Sequence, residues 1–227
     1  MNEFKGFPID TIRFFKDLEK NNTREWFLGH KDDYEKFVKM PAFYFISEME
    51  PKLQSLSPGF FAVPRIDKSL FRLNRDVRFS NDKSPYKTNL GIWFWEGHRK
   101  RMECSGFYFQ VEKGKLMLAA GAYMFTKETM KIYRDALVDK KFGPAFKRAA
   151  GIVTKKGYDI GGSFYKKVPA GYDKTHENAP YLLFNGLYAM TEIKIPEEFY
   201  SAKIADFALS HYEKMYPLHK WLVDAIG

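Results

Sequence analysis

The stretch Gly106-Phe107-Tyr108-Phe109-Gln110-Val111-Glu112-Lys113-Gly114-Lys115-Leu116-Met117-Leu118-Ala119-Ala120-Gly121-Ala122-Tyr123-Met124 decides the fold. Two β-prone runs, 106–112 and 115–124, flank Lys113-Gly114, a pair suited to a hairpin turn. So short a link forces antiparallel pairing, because a parallel crossover takes a dozen or more residues. Upstream, 90–95 is another run rich in β-formers, and downstream 187–195 reads as a last strand. The segment 66–74 also reads as a strand.

Helical patterns lie on either side. Asp10 can cap a helix that carries Phe14, Phe15 and Leu18 on one side and stops at Asn21-Asn22. Asn22 and Glu25 have capping-box spacing for a second helix with Trp26, Phe27, His30, Tyr34, Phe37 and Val38 on one face. Pro41 ends or kinks that helix and can open a third, with Phe45, Ile46, Met49 and Leu53, although Pro51 sits within it. After the hairpin, Thr126 is a good N-cap for a helix with Met130, Tyr133 and Leu137. Pro144 suits the start of another, with Phe146, Ala149 and Val153. Residues 154–180 are rich in Gly and Pro and read as a long ordered loop. Residues 196–226 read as a helix broken near Tyr216-Pro217. Helices, then an antiparallel-rich sheet, then helices predict one α+β domain spanning 1–227, its central sheet packed with the N-terminal and C-terminal helices.

Composition narrows the class. The 227 residues are 45% hydrophobic and 18% aromatic, which excludes a disordered or collagen-like chain. The apolar runs are too short to span a bilayer. The N-terminal residues show no apolar secretion signal. The one cysteine, Cys104, has no partner for an internal disulfide, which fits a reducing compartment. The expectation is a cytoplasmic protein with no membrane partner.

Charge is concentrated. The net charge is +9, yet residues 1–64 hold nine Lys/Arg against ten Asp/Glu, while 65–101 hold ten against four. The densest part is 71–88, where Arg72, Arg75, Arg78, Lys83 and Lys87 mix with Asp76, Asp82 and Tyr86. A turn over 82–85 folds the chain back and brings the lysines near the arginines. Arginine suits planar contact with phosphate or carboxylate, and two carboxylates balance only two of five cations. This pattern predicts a basic pocket for a phosphate-bearing or other anionic small molecule, with or without catalysis. Arg72, Arg75, Arg78, Lys83 and Lys87 hold the anion, Asp76 and Asp82 orient the arginines, and Tyr86 donates a hydrogen bond. The alternatives are a nucleic-acid-binding module, and a structural protein whose charged cluster fastens a loop to the sheet.

The same residues carry a resemblance. Gly6-Phe7-Pro8, Asn21-Asn22-Thr23-Arg24-Glu25-Trp26-Phe27, His30-Lys31 with Tyr34-Glu35, and the run Phe71-Arg72 through Tyr86-Lys87-Thr88 resemble the family called Domain of Unknown Function 2461. Gly106-Phe107-Tyr108, Ala120-Gly121 with Tyr123, Arg134, and Lys167 with Pro169 and Gly171-Tyr172 continue the likeness over nearly the whole chain. Met124 departs from it, standing where the pattern has a proline. The resemblance implies one intact domain and no particular activity, substrate or catalytic residue.

Other motifs carry less. Gly157 to Gly162-Ser163 lacks the lysine of a phosphate-binding P-loop. His30, His98, His176, His211 and His219 are scattered, and none has metal-site spacing. His30 and His211 read as packed core histidines, and Cys104 as a strand residue without an activating base. Asp76 and Asp82 as an acid–base or Mg²⁺ pair are disfavoured by the surrounding cations. Trp93-Phe94-Trp95 and Phe107-Tyr108-Phe109 read as core rather than base-stacking platforms. Lys166, Lys167 and Tyr172 in the long loop are candidates to cover the cluster. No residue pattern names a cofactor.

Overall fold

A computed structural model describes residues 3–227. The helices α1 (Ile9–Lys20), α2 (Arg24–Gly29), α3 (Lys31–Tyr34) and α4 (Met40–Leu56) come first. The strands β1 (Phe60–Phe61), β2 (Asn89–Glu96), β3 (Gly106–Glu112) and β4 (Lys115–Ala122) follow. Next are α5 (Lys127–Val138), α6 (Phe142–Lys155), β5 (Asp159–Ser163), β6 (Phe184–Lys194) and α7 (Ile204–Ile226). The six strands form one antiparallel sheet in the order β1-β2-β3-β4-β6-β5, so the chain is α+β. The Lys113-Gly114 hairpin is present, with both residues at positive φ.

The chain divides into two compact units. One holds the residues up to Phe94 with Tyr108–Met117 and Glu192–Leu209. The other holds Trp95–Phe107, Leu118–Thr191 and Ser210–Gly227. In the first, Phe7 stacks on Phe199 at 4.8 Å between ring centres, and Phe45 packs on Phe7, Phe94 and Phe109. Gly6 admits this approach: a side-chain carbon there would lie 2.3 Å from the Ser201 nitrogen, and its φ is +101°. In the second, Phe107 stacks on Tyr212 at 4.5 Å, and Trp221 packs on Tyr133 and Phe146. Trp93, Phe94, Trp95, Phe107 and Phe109 are all buried, as core aromatics should be.

Several local expectations are corrected. Residues 66–74 do not form a strand; they make only isolated bridges, Ile66 to Leu70, Leu70 to Ile92 and Asn74 to Tyr86. The reason is a turn at Asp67, whose φ is +61°, outside the extended region. Helix α1 starts after Pro8 rather than at Asp10, and Thr23, not Asn22, caps α2 by accepting from the Trp26 N–H at 3.2 Å. Of the two outcomes open at Pro41, the helical run does not end there. A π-helical turn, Glu35–Lys39, leads straight into α4, where Pro41 sits in the first turn and needs no partner for a missing N–H. Pro217 lies inside α7 without breaking it. The buried row Tyr212, Met215, Leu218, Trp221 and Leu222 outweighs the penalty of about 3 kcal/mol for an interior proline.

The region 154–180 is not all loop. It contains β5, paired with β6 so that Gly161 faces Tyr188. The Tyr188 ring lies 2.3 Å from where a Gly161 side chain would begin, so glycine is required there. Glycine lowers strand propensity, which hid this strand.

Candidate functional site

The charged segment is a short hairpin pinned at its base. The Arg75 N–H donates to the Pro85 carbonyl and the Lys87 N–H to the Leu73 carbonyl, both at 2.8 Å. The chain therefore folds back as its turn residues imply. Asn22, in the link between α1 and α2, clamps the returning arm. Its amide nitrogen donates to the Tyr86 carbonyl at 2.9 Å, and its oxygen accepts from the Tyr86 N–H at 3.1 Å. One side chain thus does what a neighbouring strand does for a backbone. Tyr86 is buried, its ring 4.4 Å from that of Phe27. It anchors the hairpin to the helices. Asn22 went unrecognised as part of the site because its spacing to Glu25 imitates a capping box.

Above the anchor, most of the charged side chains are engaged with one another. Arg78 binds Asp76 through two nitrogens, Nε at 2.9 Å and Nη2 at 2.6 Å. Arg75 forms an ion pair with Asp82 across the two arms. Lys83 donates to the Val77 carbonyl at 3.1 Å. Lys87 lies over the Phe71 ring. Hydrogen bonds from Arg78, with the Arg72 charge nearby, hold Asp76 below the usual carboxylate range. Hydrogen bonds from Ser84 and then Arg75 do the same for Asp82. Both stay ionised across the physiological range.

The geometry is open. Arg72, Asp76, Arg78, Asp82 and Lys83 are exposed, so the basic pocket expected from composition finds no support in their burial. Arg72 forms no hydrogen bond or ion pair with a described residue, and Lys83 meets only a carbonyl. Arg72 acts on Asp76 through its charge alone, and neither cation has an ion-pair partner among the described residues. Phe79, which the sequence reading passed over, is 94% exposed at the tip, with the Arg78 guanidinium over its ring.

The second unit holds a different polar cluster. His219 is fully buried on α7; its Nε2 meets a Glu96 carboxylate oxygen at 2.6 Å and its Nδ1 meets the Ser105 hydroxyl at 2.8 Å. With Nε2–H donated to the carboxylate, Nδ1 accepts from Ser105. The arrangement has the parts of a nucleophile, base and orienting acid, but Ser105 is only 3% exposed. Its evident work is to tie α7 to the residues flanking the 97–104 loop. Arg99, inside that loop, donates to the Ile226 carbonyl and to the Thr129 hydroxyl. The buried histidine is therefore His219. His30 and His211 are only half-buried: His30 stacks on Trp26, and His211 meets the Tyr158 hydroxyl.

Cys104 precedes β3 rather than lying in it, and burial raises its thiol pKa, so it is a poor nucleophile. Tyr172 donates to Asp135 on α5, within its own unit. Among the described residues no three His, Cys, Asp or Glu side chains are grouped to hold a metal. No helix is long and apolar enough to cross a membrane.

Fold and site together define an α+β protein with a clamped, basic, aromatic-tipped hairpin. The chain belongs to the family of conserved hypothetical proteins designated DUF2461, whose pattern matches residues 10–221. No curated protein matches it.

Proposed function

We propose that the 71–88 hairpin binds the phosphate or other anionic groups of a ligand. The observation that carries this reading is the excess charge of a loop with five cations against two carboxylates, of which Arg72 and Lys83 have no ion-pair partner among the described residues. The internal pairs do not exhaust the arginines. Each guanidinium carries five N–H donors, and Arg78 spends only its Nε and Nη2 on Asp76. Exposed ion pairs contribute about 0–1 kcal/mol each, so an anion can add to them or displace them at small cost. In this reading Arg72 and Lys83 supply attraction, and Arg75 and Arg78 supply directed donors held by Asp82 and Asp76. Lys87 adds charge at the base, and Tyr86 fixes the loop.

The test is thermal stabilisation by inorganic phosphate, nucleotides and sulfate. The wild type is expected to be stabilised in proportion to anion concentration, and the double variant Arg72→Ala, Lys83→Ala to lose the effect while keeping its unliganded midpoint. A wild-type protein indifferent to all three anions rejects the reading. A double variant that unfolds instead supports the structural alternative, in which the charges only brace the loop.

A further inference from the structure

We infer that the ligand of this hairpin is single-stranded nucleic acid, with Phe79 stacking on an exposed base while the neighbouring cations take the flanking phosphates. The inference rests on the anion-binding reading above and adds the nature of the partner. It starts from Phe79, whose ring is almost wholly in water at 94% exposure. Nothing in the fold needs an aromatic there. The tip is formed by a turn in which the Ser80 N–H reaches the Val77 carbonyl, and a polar residue serves such a turn as well.

The ring is also presented in a fixed setting. The arms are joined by backbone hydrogen bonds and by the Arg75–Asp82 pair, and Asn22 holds the base. Arg78 is hydrogen-bonded to Asp76 and lies over the Phe79 ring at 5.8 Å. A platform ordered before binding loses little conformational entropy on binding.

The chemistry selects the partner. Every base has a π-face, so one exposed aromatic beside cations binds unpaired strands with little sequence preference. Bases in a duplex are already stacked and do not offer that face without being unstacked. A small anionic molecule is best held in a concave site that buries most of its surface, whereas Arg72, Arg78, Phe79 and Lys83 all stand exposed. An anionic membrane needs a broad apolar face for stable insertion, whereas this tip offers one ring with two carboxylates close by.

The experiment measures anisotropy of a fluorescent short oligodeoxythymidine with the full chain, over a range of salt. The wild type is expected to bind at low salt and to weaken steeply as salt rises. Phe79→Ala is expected to weaken binding by about fivefold or more, with the salt slope unchanged, because it removes stacking and not charge. The double variant Arg72→Ala, Lys83→Ala is expected to weaken binding and to flatten the slope by about 1.4, for two phosphate contacts on a single strand. Phe79→Ala keeps the wild-type unfolding midpoint, since its ring packs on nothing in the core. Binding that is unchanged in Phe79→Ala but lost in the double variant overturns the base-stacking inference and leaves the anion reading standing. Failure to bind either the oligonucleotide or inorganic phosphate overturns both. Tighter, Phe79-dependent binding to phosphatidylserine vesicles than to the oligonucleotide also overturns the inference, assigning the tip to a lipid surface.

Discussion

At the scale of single residues, Asn22 and His219 have most to tell. Asn22 satisfies both backbone groups of Tyr86 across 64 positions of sequence. Replacing it with Ala strands a buried N–H and carbonyl, at a cost of about 1–3 kcal/mol. The expected outcome is a lower urea midpoint together with faster amide exchange over residues 73–87. Unchanged exchange there shows that the clamp is dispensable. His219 makes a second prediction. Burial pushes its pKa below 6.5, while Glu96 and then Asp224 push back and Lys220 adds to the lowering; Ser105, Phe107 and Tyr216 complete its surroundings. The folded imidazole stays neutral where an unfolded one takes up a proton. Stability is therefore full above about pH 6.5 and declines as pH falls, His211 adding to the trend through its own lowered pKa. Urea midpoints measured between about pH 7.5 and about 5.5 are expected to fall, and to fall less in His219→Gln. Neither residue was legible in advance. Asn22 has the local chemistry of a cap, and His219 sits on a helix face with no mark of its distant partners.

At the scale of elements, the sequence was most readable where a pattern needs only neighbours. Strands β2, β3, β4 and β6 follow from β-prone runs and one turn, and Thr126 caps α5 by accepting from Thr129 as its position implies. It was least readable where tertiary packing overrides propensity. Pro41 and Pro217 sit in continuous helices, and β5 is a glycine-rich strand fitted beneath Tyr188. The segment 66–74 has a strand's composition and a turn's backbone. Gly6 shows how tightly such elements meet. Gly6→Ala must displace the backbone at Ser201 and also strain a positive φ, so a loss of about 2 kcal/mol or more is expected from chemical denaturation. A loss within about 0.5 kcal/mol shows that the Phe7–Phe199 stack tolerates a shift.

At the scale of the whole molecule, the α+β class was legible from the order of patterns, whereas the concentrated charge said nothing of the exposed setting in which its side chains stand. Composition counts cations without saying whether they line a hollow or stand on a ridge. We propose that the two units unfold together as the single domain expected from the sequence, because strands β2, β3, β4 and β6 each contribute residues to both. Far-ultraviolet circular dichroism and tryptophan fluorescence are then expected to report coincident transitions, and two separated midpoints contradict it. The segmented make-up of the first unit bears on synthesis. Phe199, the ring on which Phe7 lies, emerges from the ribosome long after its partner. The contacts of Phe4 and Phe7 with Phe45 can form early, but the Phe7 ring face that Phe199 covers stays open until that residue has been made, leaving an apolar patch for chaperones to shield.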